Sequence, residues 1–325
     1  TTAGRKDVVA NKQTRQSPQR GNPDDGGLVG AAAPARRTEP LLPAVWVPLA
    51  AILLFAMGGG HATSPPLATC EGGKVLVIGS NGSTGRKVVA LLKHLGRHEP
   101  VAMVRKEEQL SFFEGMGVKA VVGDLESPLE HVFEGISAVI FAAGSGKEGR
   151  QVMVDHLGAI RAVATAQAKG VKRFVMLGAI NCDERGTFRT VKQADEASFE
   201  SPLARFHRSK ARADNFLMES AKVGAALDWT IVSPARLTDD EASLRVLASL
   251  NHHEWDLKDE LSVEERAAGV RTLPAAGGGE EERLVTSRAN LAHALVGVLD
   301  VASTFGKRFT VIDGVLPIED ALAKV

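Results

Sequence analysis

Lys74-Val75-Leu76-Val77-Ile78-Gly79-Ser80-Asn81-Gly82-Ser83-Thr84-Gly85-Arg86-Lys87-Val88-Val89-Ala90-Leu91-Leu92 is an apolar run that breaks into glycines and resumes at helical spacing. It reads as strand, turn and helix. Val75 to Ile78 are apolar without alternation, which suits a strand buried on both faces of a parallel sheet. The helix start then lies beside the sheet's carboxyl edge. Its unpaired backbone N–H groups and dipole attract an anion there, and glycine lets a pyrophosphate approach the chain closely. The spacing is GxxGxxG at Gly79, Gly82 and Gly85. Three glycines alone are weak evidence, because glycine turns punctuate many folds; the flanking strand and helix give the pattern its meaning.

Downstream the same grammar repeats. Pro100-Val101-Ala102-Met103-Val104 is a second strand that runs into Arg105-Lys106, and Val118 to Leu125 is a third with Asp124 near its end. Ile136 to Ala143 is a fourth, closing in Gly144-Ser145-Gly146. A helix over Val152 to Lys169 ends at Gly170, and Val171 to Leu177 is the fifth strand. Strands alternating with helices at this spacing predict an α/β fold, a Rossmann-like doubly wound parallel sheet, with the ligand across the carboxyl ends of the strands. An NAD site commonly places an acid at the end of the second strand for the ribose 2′-OH, whereas a basic residue suits the 2′-phosphate of NADP. Arg105 and Lys106 therefore favour NADP(H) over NAD(H).

The chain of 325 residues, 44% hydrophobic and 24% charged, is long enough to bury a sizeable core. Its formal net charge is zero and no basic run interleaves with aromatics, so nothing calls for nucleic acid. Two cysteines, Cys70 and Cys182, make neither a disulfide framework nor a metal cluster. No metal site is expected: His252-His253-Glu254 lacks further ligands at useful spacing, and two adjacent histidines cannot both face one ion from a regular element. The polar stretches 183–205 and 239–282 read as solvated loops over the substrate side.

Residues 1–40 are rich in Arg, Gln, Gly, Ala and Pro without a periodic apolar face, and read as a disordered targeting-type leader. The chain does not begin with Met, which fits a fragment or a processed product. Residues 41–58 form a hydrophobic segment: Leu41 to Met57 (LLPAVWVPLAAILLFAM) carries no charge and follows Arg36 and Arg37. That is the grammar of a membrane anchor or of a cleaved signal. Membrane association through 41–58 and import into an organelle, a plastid by preference, are the expectations. Residues 73–325 would form one nucleotide-binding domain.

Gly79 to Gly85, Val104-Arg105, Gly123-Asp124-Leu125, Phe141 to Gly146, Val171 to Met176, Trp229 to Pro234, Ser287 to Ala292 and Pro317 to Leu322 together resemble the atypical short-chain dehydrogenase/reductases. The nearest group is the NAD(P)H-binding, NmrA-like and sugar-epimerase-like branch, which includes plastid members. The resemblance implies that Gly79, Ser80, Asn81, Gly82, Ser83, Thr84 and Gly85 wrap the pyrophosphate. By the same resemblance Arg105 and Lys106 would hold the 2′-phosphate, Asp124 and Leu125 flank the adenine, and Ala142, Ala143 and Gly144 line the ribose. The backbone around Pro234 would face the nicotinamide.

Redox-active members of that group use a Tyr-x-x-x-Lys pair, and the matching segment here is Phe206-His207-Arg208-Ser209-Lys210. The lysine, with its expected hold on the ribose, is kept and the phenol is lost. The serine expected after the fifth strand is replaced by Gly178-Ala179. General acid–base help contributes roughly 10²- to 10⁴-fold, so both losses should disable the usual carbonyl reduction. His207 is the substitute on chemical grounds, although a helix turns it ~100° from Phe206. Two classes stay open: an NADP(H)-binding protein with a regulatory or assembly role and little turnover, or an NADPH-dependent reductase or epimerase with substituted acid–base groups. Its partner beyond the dinucleotide is an unidentified small molecule or protein.

Overall fold

Successive residues of the first strand bury themselves in opposite cores. In the computed structural model, which describes residues 72–146, 149–183, 201–223, 227–275 and 278–325, Val75 and Val77 of β1 (Lys74–Ile78) pack into one hydrophobic cluster. Leu76 and Ile78 pack into another. The same alternation holds in β4 (Ala138–Phe141) and β5 (Arg173–Leu177), where Ile140 and Val175 face the first layer and Phe141 and Phe174 the second. Side chains of a strand point alternately to its two faces, so a strand apolar at every position needs cover on both.

Each face has its helices. Helix α1 (Ser83–Leu95) buries Val88, Val89 and Leu92 and stops at Gly96, whose left-handed φ of 65° lets its N–H close on the Leu92 carbonyl. Two further helices, α7 (Arg288–Gly297) and α8 (Ile318–Ala323), share its layer. The other layer is a π-helical stretch at Val152–Gly158 running into α3 (Ala159–Ala168), with α4 (Pro202–Val223) beside it.

The strand order is β12-β8-β11-β6-β5-β4-β1-β2-β3. From β3 (Lys119–Val122) through β2 (Glu99–Val104), β1, β4, β5 and β6 (Asp228–Pro234) to β11 (Lys307–Asp313) every pair is parallel. Antiparallel β8 (Arg245–Ser249) and β12 (Leu316–Pro317) finish that edge. The order 3-2-1-4-5-6 reverses direction at β1, which makes the space above β1 and β4 the switch point where such sheets take ligands. The expected Rossmann-like sheet is present, larger than its five legible strands.

The reading of 239–282 as a solvated loop is corrected. That stretch holds β8, α5 (Glu254–Glu260), α6 (Val263–Gly269), β9 (Val270–Pro274) and the start of β10 (Glu280–Ser287), with β7 (Arg236–Thr238) completing a small β7-β10-β9 sheet. Leu257, Leu284 and Ile312 form a separate apolar cluster beneath it. The apolar run Val246-Leu247-Ala248 was the available signal for β8; the other apolar residues are scattered among charges, and packing against β11 gives them a common face. Residues 184–200 and the leader, including 41–58, lie outside the described residues. Among the described residues no helix is long and apolar enough to cross a membrane.

Candidate functional site: a dinucleotide cleft with two unlike ends

The glycine turn works by contact as much as by conformation. Gly79 has φ 86°, and a Cβ on it would stand 2.6 Å from the Ala143 backbone, so its bareness lets the ends of β1 and β4 close up. A Cβ on Gly85 would meet the Gly79 carbonyl oxygen at 2.1 Å. Gly82 donates its N–H to the Gly79 carbonyl at 3.0 Å, and Arg86 donates to Gly82 at 2.9 Å. The helix thus begins at Ser83 with the N–H groups of Ser83, Thr84 and Gly85 outside its own ladder, which is the arrangement that receives a phosphate.

Above the turn lies a cleft of about 290 Å³. It brings together Gly79, Asn81, Gly82, Arg105, Asp124, Leu125, Ala142, Ala143 and Gly144, which is most of the expected cofactor set. Sequence reasoning missed Gln109 and Ser145, which also line it. The Gln109 side-chain oxygen accepts the backbone N–H groups of both Arg105 and Lys106, at 3.1 and 3.2 Å, and so fixes the turn that carries Arg105. Asp124 accepts the Glu126 N–H at 3.0 Å, an Asx turn under the adenine side.

Four expected residues shape the loop without walling the cleft. Ser83, Thr84 and Gly85 belong to the first turn of α1, and the Ser80 hydroxyl is buried, donating to the Val77 carbonyl at 2.6 Å. Lys106 is mostly exposed and stands 3.6 Å from Glu108 rather than in the cleft wall. Pro234, at the end of β6, accepts the Ile180 N–H at 3.0 Å and ties the ends of β5 and β6 together.

Behind the 142–145 loop, outside the residues that line the cleft, the fold is crowded with buried charge, and Lys210, Phe206 and His207 stand there rather than in the cleft wall. Lys210 is buried; its ammonium donates to the Leu177 carbonyl at 3.0 Å and to the Ala143 carbonyl at 3.4 Å. It also stands 3.4 Å from Asp155 Oδ1. Asp155, wholly buried in the π-helical turn, accepts the Ser145 N–H through Oδ2 at 3.0 Å, so one carboxylate holds both the lysine and the cleft-lining loop. Sequence reading overlooked Asp155, although an acid inside an otherwise apolar helical stretch was the available signal.

One helical turn beyond Lys210, Asp214 is wholly buried and neither of its oxygens has a hydrogen-bond partner; Arg308 Nε lies 3.8 Å away. Burial pushes its pKa up to about 6, against the pull of Arg308 and Lys210. The i,i+4 spacing of Lys210 and Asp214 was the missed signal here. Phe206, one turn before Lys210, is partly buried and its ring lies beside the His207 imidazole, with centroids 5.8 Å apart. Burial lowers the His207 pKa to about 4, so at neutral pH the ring is uncharged and is no ready acid.

The end of β5 is clamped from above. Asn181 adopts φ 62°, donates its N–H to the His252 carbonyl at 2.8 Å and accepts the Glu254 N–H at 2.9 Å. His253 stacks on Trp255 with centroids 4.6 Å apart and pairs with Asp183 at 2.8 Å. Cys182 is buried, and burial raises its thiol well above the usual range, which makes it an inert packing residue.

Fold and cleft define a class: a Rossmann-type protein with a groove at the switch point of its sheet. The sequence profile of the NAD(P)H-binding family matches residues 79–267, and the chain belongs to that family. It is 30% identical over 258 residues to the uncharacterized sugar epimerase YhfK of Bacillus subtilis, an alignment covering 78% of this chain and all of that protein. A second relative, the UPF0659 protein YMR090W of Saccharomyces cerevisiae, is 31% identical over 172 residues, half of this chain and 70% of that one. Among solved structures, one from Bacillus halodurans assigned as an NAD-dependent epimerase/dehydratase superposes with TM-score 0.60 at 29% identity, covering 78% of this chain and all of that one. The oxidoreductase ylbE of Lactococcus lactis superposes with TM-score 0.57 at 23% identity over 78% of this chain and 96% of its own, a likeness of fold.

Proposed function

We propose that this protein is an NADP(H)-binding member of its family with little turnover, acting as a binding, regulatory or assembly protein. The observation that carries the cofactor reading is Arg105 in the cleft wall at the end of β2, on a turn fixed by Gln109, at the position where an NAD site would carry an acid. Low turnover is supported by Phe206 at the expected phenol position, by Ala179 at the expected hydroxyl and by a His207 that is neutral at pH 7. Lys210 would brace the ribose side of the cleft from behind, where the Leu177 and Ala143 carbonyls and Asp155 hold its ammonium.

When bound, the nicotinamide ring supplies or accepts hydride. This chain's own groups would hold its pyrophosphate on the α1 terminus, seat the adenosine between Arg105 and Asp124, and keep water from the Lys210 end. A second reading, an epimerase or reductase with other acid–base groups, draws support from the sugar-epimerase name of the Bacillus subtilis relative and from the retained Lys210. We also propose residues 1–58 as a targeting or anchoring leader, which a fluorescent fusion of the full chain would localise.

Titration of the full chain with NADPH and NADH, followed by NADPH oxidation in the presence of aldehydes, quinones and keto-sugars, tests the main reading. Tight NADPH binding with negligible oxidation is expected. Rapid oxidation that survives Phe206→Ala and disappears with His207→Ala would overturn it and make His207 the acid.

A further inference from the structure

Beside the adenosine end of the cleft, behind its Asn81 wall, stands a second arginine that no motif assigns. Arg86, in the first turns of α1, donates from Nε and Nη2 to the Asn81 side-chain oxygen at 3.2 and 2.5 Å, and from Nε to the Asn81 carbonyl at 3.2 Å. Its guanidinium lies flat enough on Phe112 to place its central carbon 4.3 Å from the ring centroid. Asn81 is a wall of the cleft opposite Arg105 and Gln109, and Phe112 belongs to α2 (Leu110–Gly115), the helix that follows Gln109. Arg86 therefore bridges the glycine turn and the turn that carries Arg105.

Every partner of Arg86 is neutral. Among the described residues no carboxylate lies within ion-pairing distance of it, and its contacts use one edge of the guanidinium, leaving Nη1 without a bond to the protein. A charged side chain costs entropy to immobilise, and an exposed one is held in a single geometry only where neighbours fix it. Here an amide and an aromatic ring fix it with the fork's second edge to spare.

Charge balance needs such a group. A phosphomonoester carries roughly 1.5 to 2 negative charges at pH 7, and Arg105 offers one positive charge. Lys106 was the expected second cation. It and Arg86 both stand outside the residues that line the cleft, but the Lys106 ammonium lies beside Glu108, whereas Arg86 has no acid beside it among the described residues. We propose that Arg86 and Arg105 together clamp a 2′-phosphomonoester, so that Arg86, and not Lys106, is the second residue that sets the choice of cofactor. This rests on the NADP(H) reading and specifies which side chains carry it.

The test is a set of affinities for NADPH, NADH, adenosine 2′,5′-bisphosphate and adenosine 5′-monophosphate on the full chain and three variants. Arg86→Ala should weaken NADPH and the 2′,5′-bisphosphate roughly tenfold or more, the range of a lost charge-assisted hydrogen bond, and leave NADH and the monophosphate within about twofold. Arg86→Gln, which keeps a polar contact to Asn81 and the helix, should show the same selective loss if Arg86→Ala folds poorly. Lys106→Ala should change nothing. Equal affinity of the unaltered protein for NADPH and NADH overturns the NADP(H) reading and this inference with it. A preserved NADPH preference that Arg86→Ala and Arg86→Gln leave intact, or a loss that strikes NADH equally, overturns the inference alone and reduces Arg86 to a brace for the glycine turn.

Discussion

The cleft and the charge cluster behind its 142–145 wall are built on opposite principles. At the adenosine end, donors stand in an open groove on backbone that glycine and Gln109 have set: Arg105, Asn81 and the first N–H groups of α1. At the Lys210 end the charges are sealed in the fold: Lys210 is held by Asp155 and by the Leu177 and Ala143 carbonyls, and Asp214 is buried with no hydrogen-bond partner for either oxygen among the described residues. The open end is arranged to bind an anion. The sealed end keeps charges in place, and in the helical turn before Lys210 stand Phe206 and a His207 whose pKa burial lowers to about 4. Binding and proton delivery are thus separable within one cleft, because each depends on different residues in a different dielectric setting.

The largest effect that would sharpen this contrast is on stability. Lys210→Ala would leave the buried Asp155 carboxylate uncompensated, and breaking a buried pair from one side costs about 3–5 kcal/mol. A fall of that size in the unfolding free energy is expected, seen as a lower denaturant midpoint, along with weaker cofactor binding; an unchanged midpoint would mean that the sealed end is not a charge network.

Asp214 should show itself through pH. Its folded pKa, about 6, stands above the ordinary 3.8. The native protein therefore keeps this proton to higher pH than the unfolded chain does, and Asp214's contribution to stability falls as pH rises from about 4 to about 6 and stays lower above that. The loss is on the order of 3 kcal/mol. Unfolding free energies of the unaltered protein and of Asp214→Asn, compared between pH 4 and 7, should diverge in favour of the variant as pH rises, and parallel curves would remove Asp214 from the account.

At the open end, Gly85→Ala places a methyl 2.1 Å from the Gly79 carbonyl in the unrelaxed backbone. Overpacking of this kind costs about 1–3 kcal/mol. Because the strain falls on the loop that would hold the pyrophosphate, the expected readout is a roughly ten- to hundredfold weaker NADPH affinity with a smaller change in melting temperature. The smallest effect is a gain: Phe206→Tyr with Ala179→Ser should return the two hydroxyls without altering cofactor affinity and bring a trace of NADPH oxidation. Failure of the double variant to oxidise NADPH, with affinity intact, would show that the sealed end lacks more than these two groups.

The sequence alone determined the strand-turn-helix at Lys74 to Leu92, the alternation through Leu177 and the glycine positions, because these depend on short-range periodicity and on backbone conformations that few residues permit. It also determined Arg105 and Asp124, since strand ends in such a sheet converge on one edge. The tertiary structure alone decided the rest. Within 239–282 only β8 has an apolar run, Val246-Leu247-Ala248; β9 and the start of β10 are too polar to be legible and are strands because they pair with each other. The expected role of Lys106 passed to no contact in the cleft wall. Arg173, a charge within β5, is among the most buried side chains because Asp228, Thr230 and Val298 offer it acceptors and Phe305 a ring, from positions 55 or more residues away. Whether a charge is solvated or sealed depends on neighbours brought from distant parts of the chain, and no local pattern in the sequence records them.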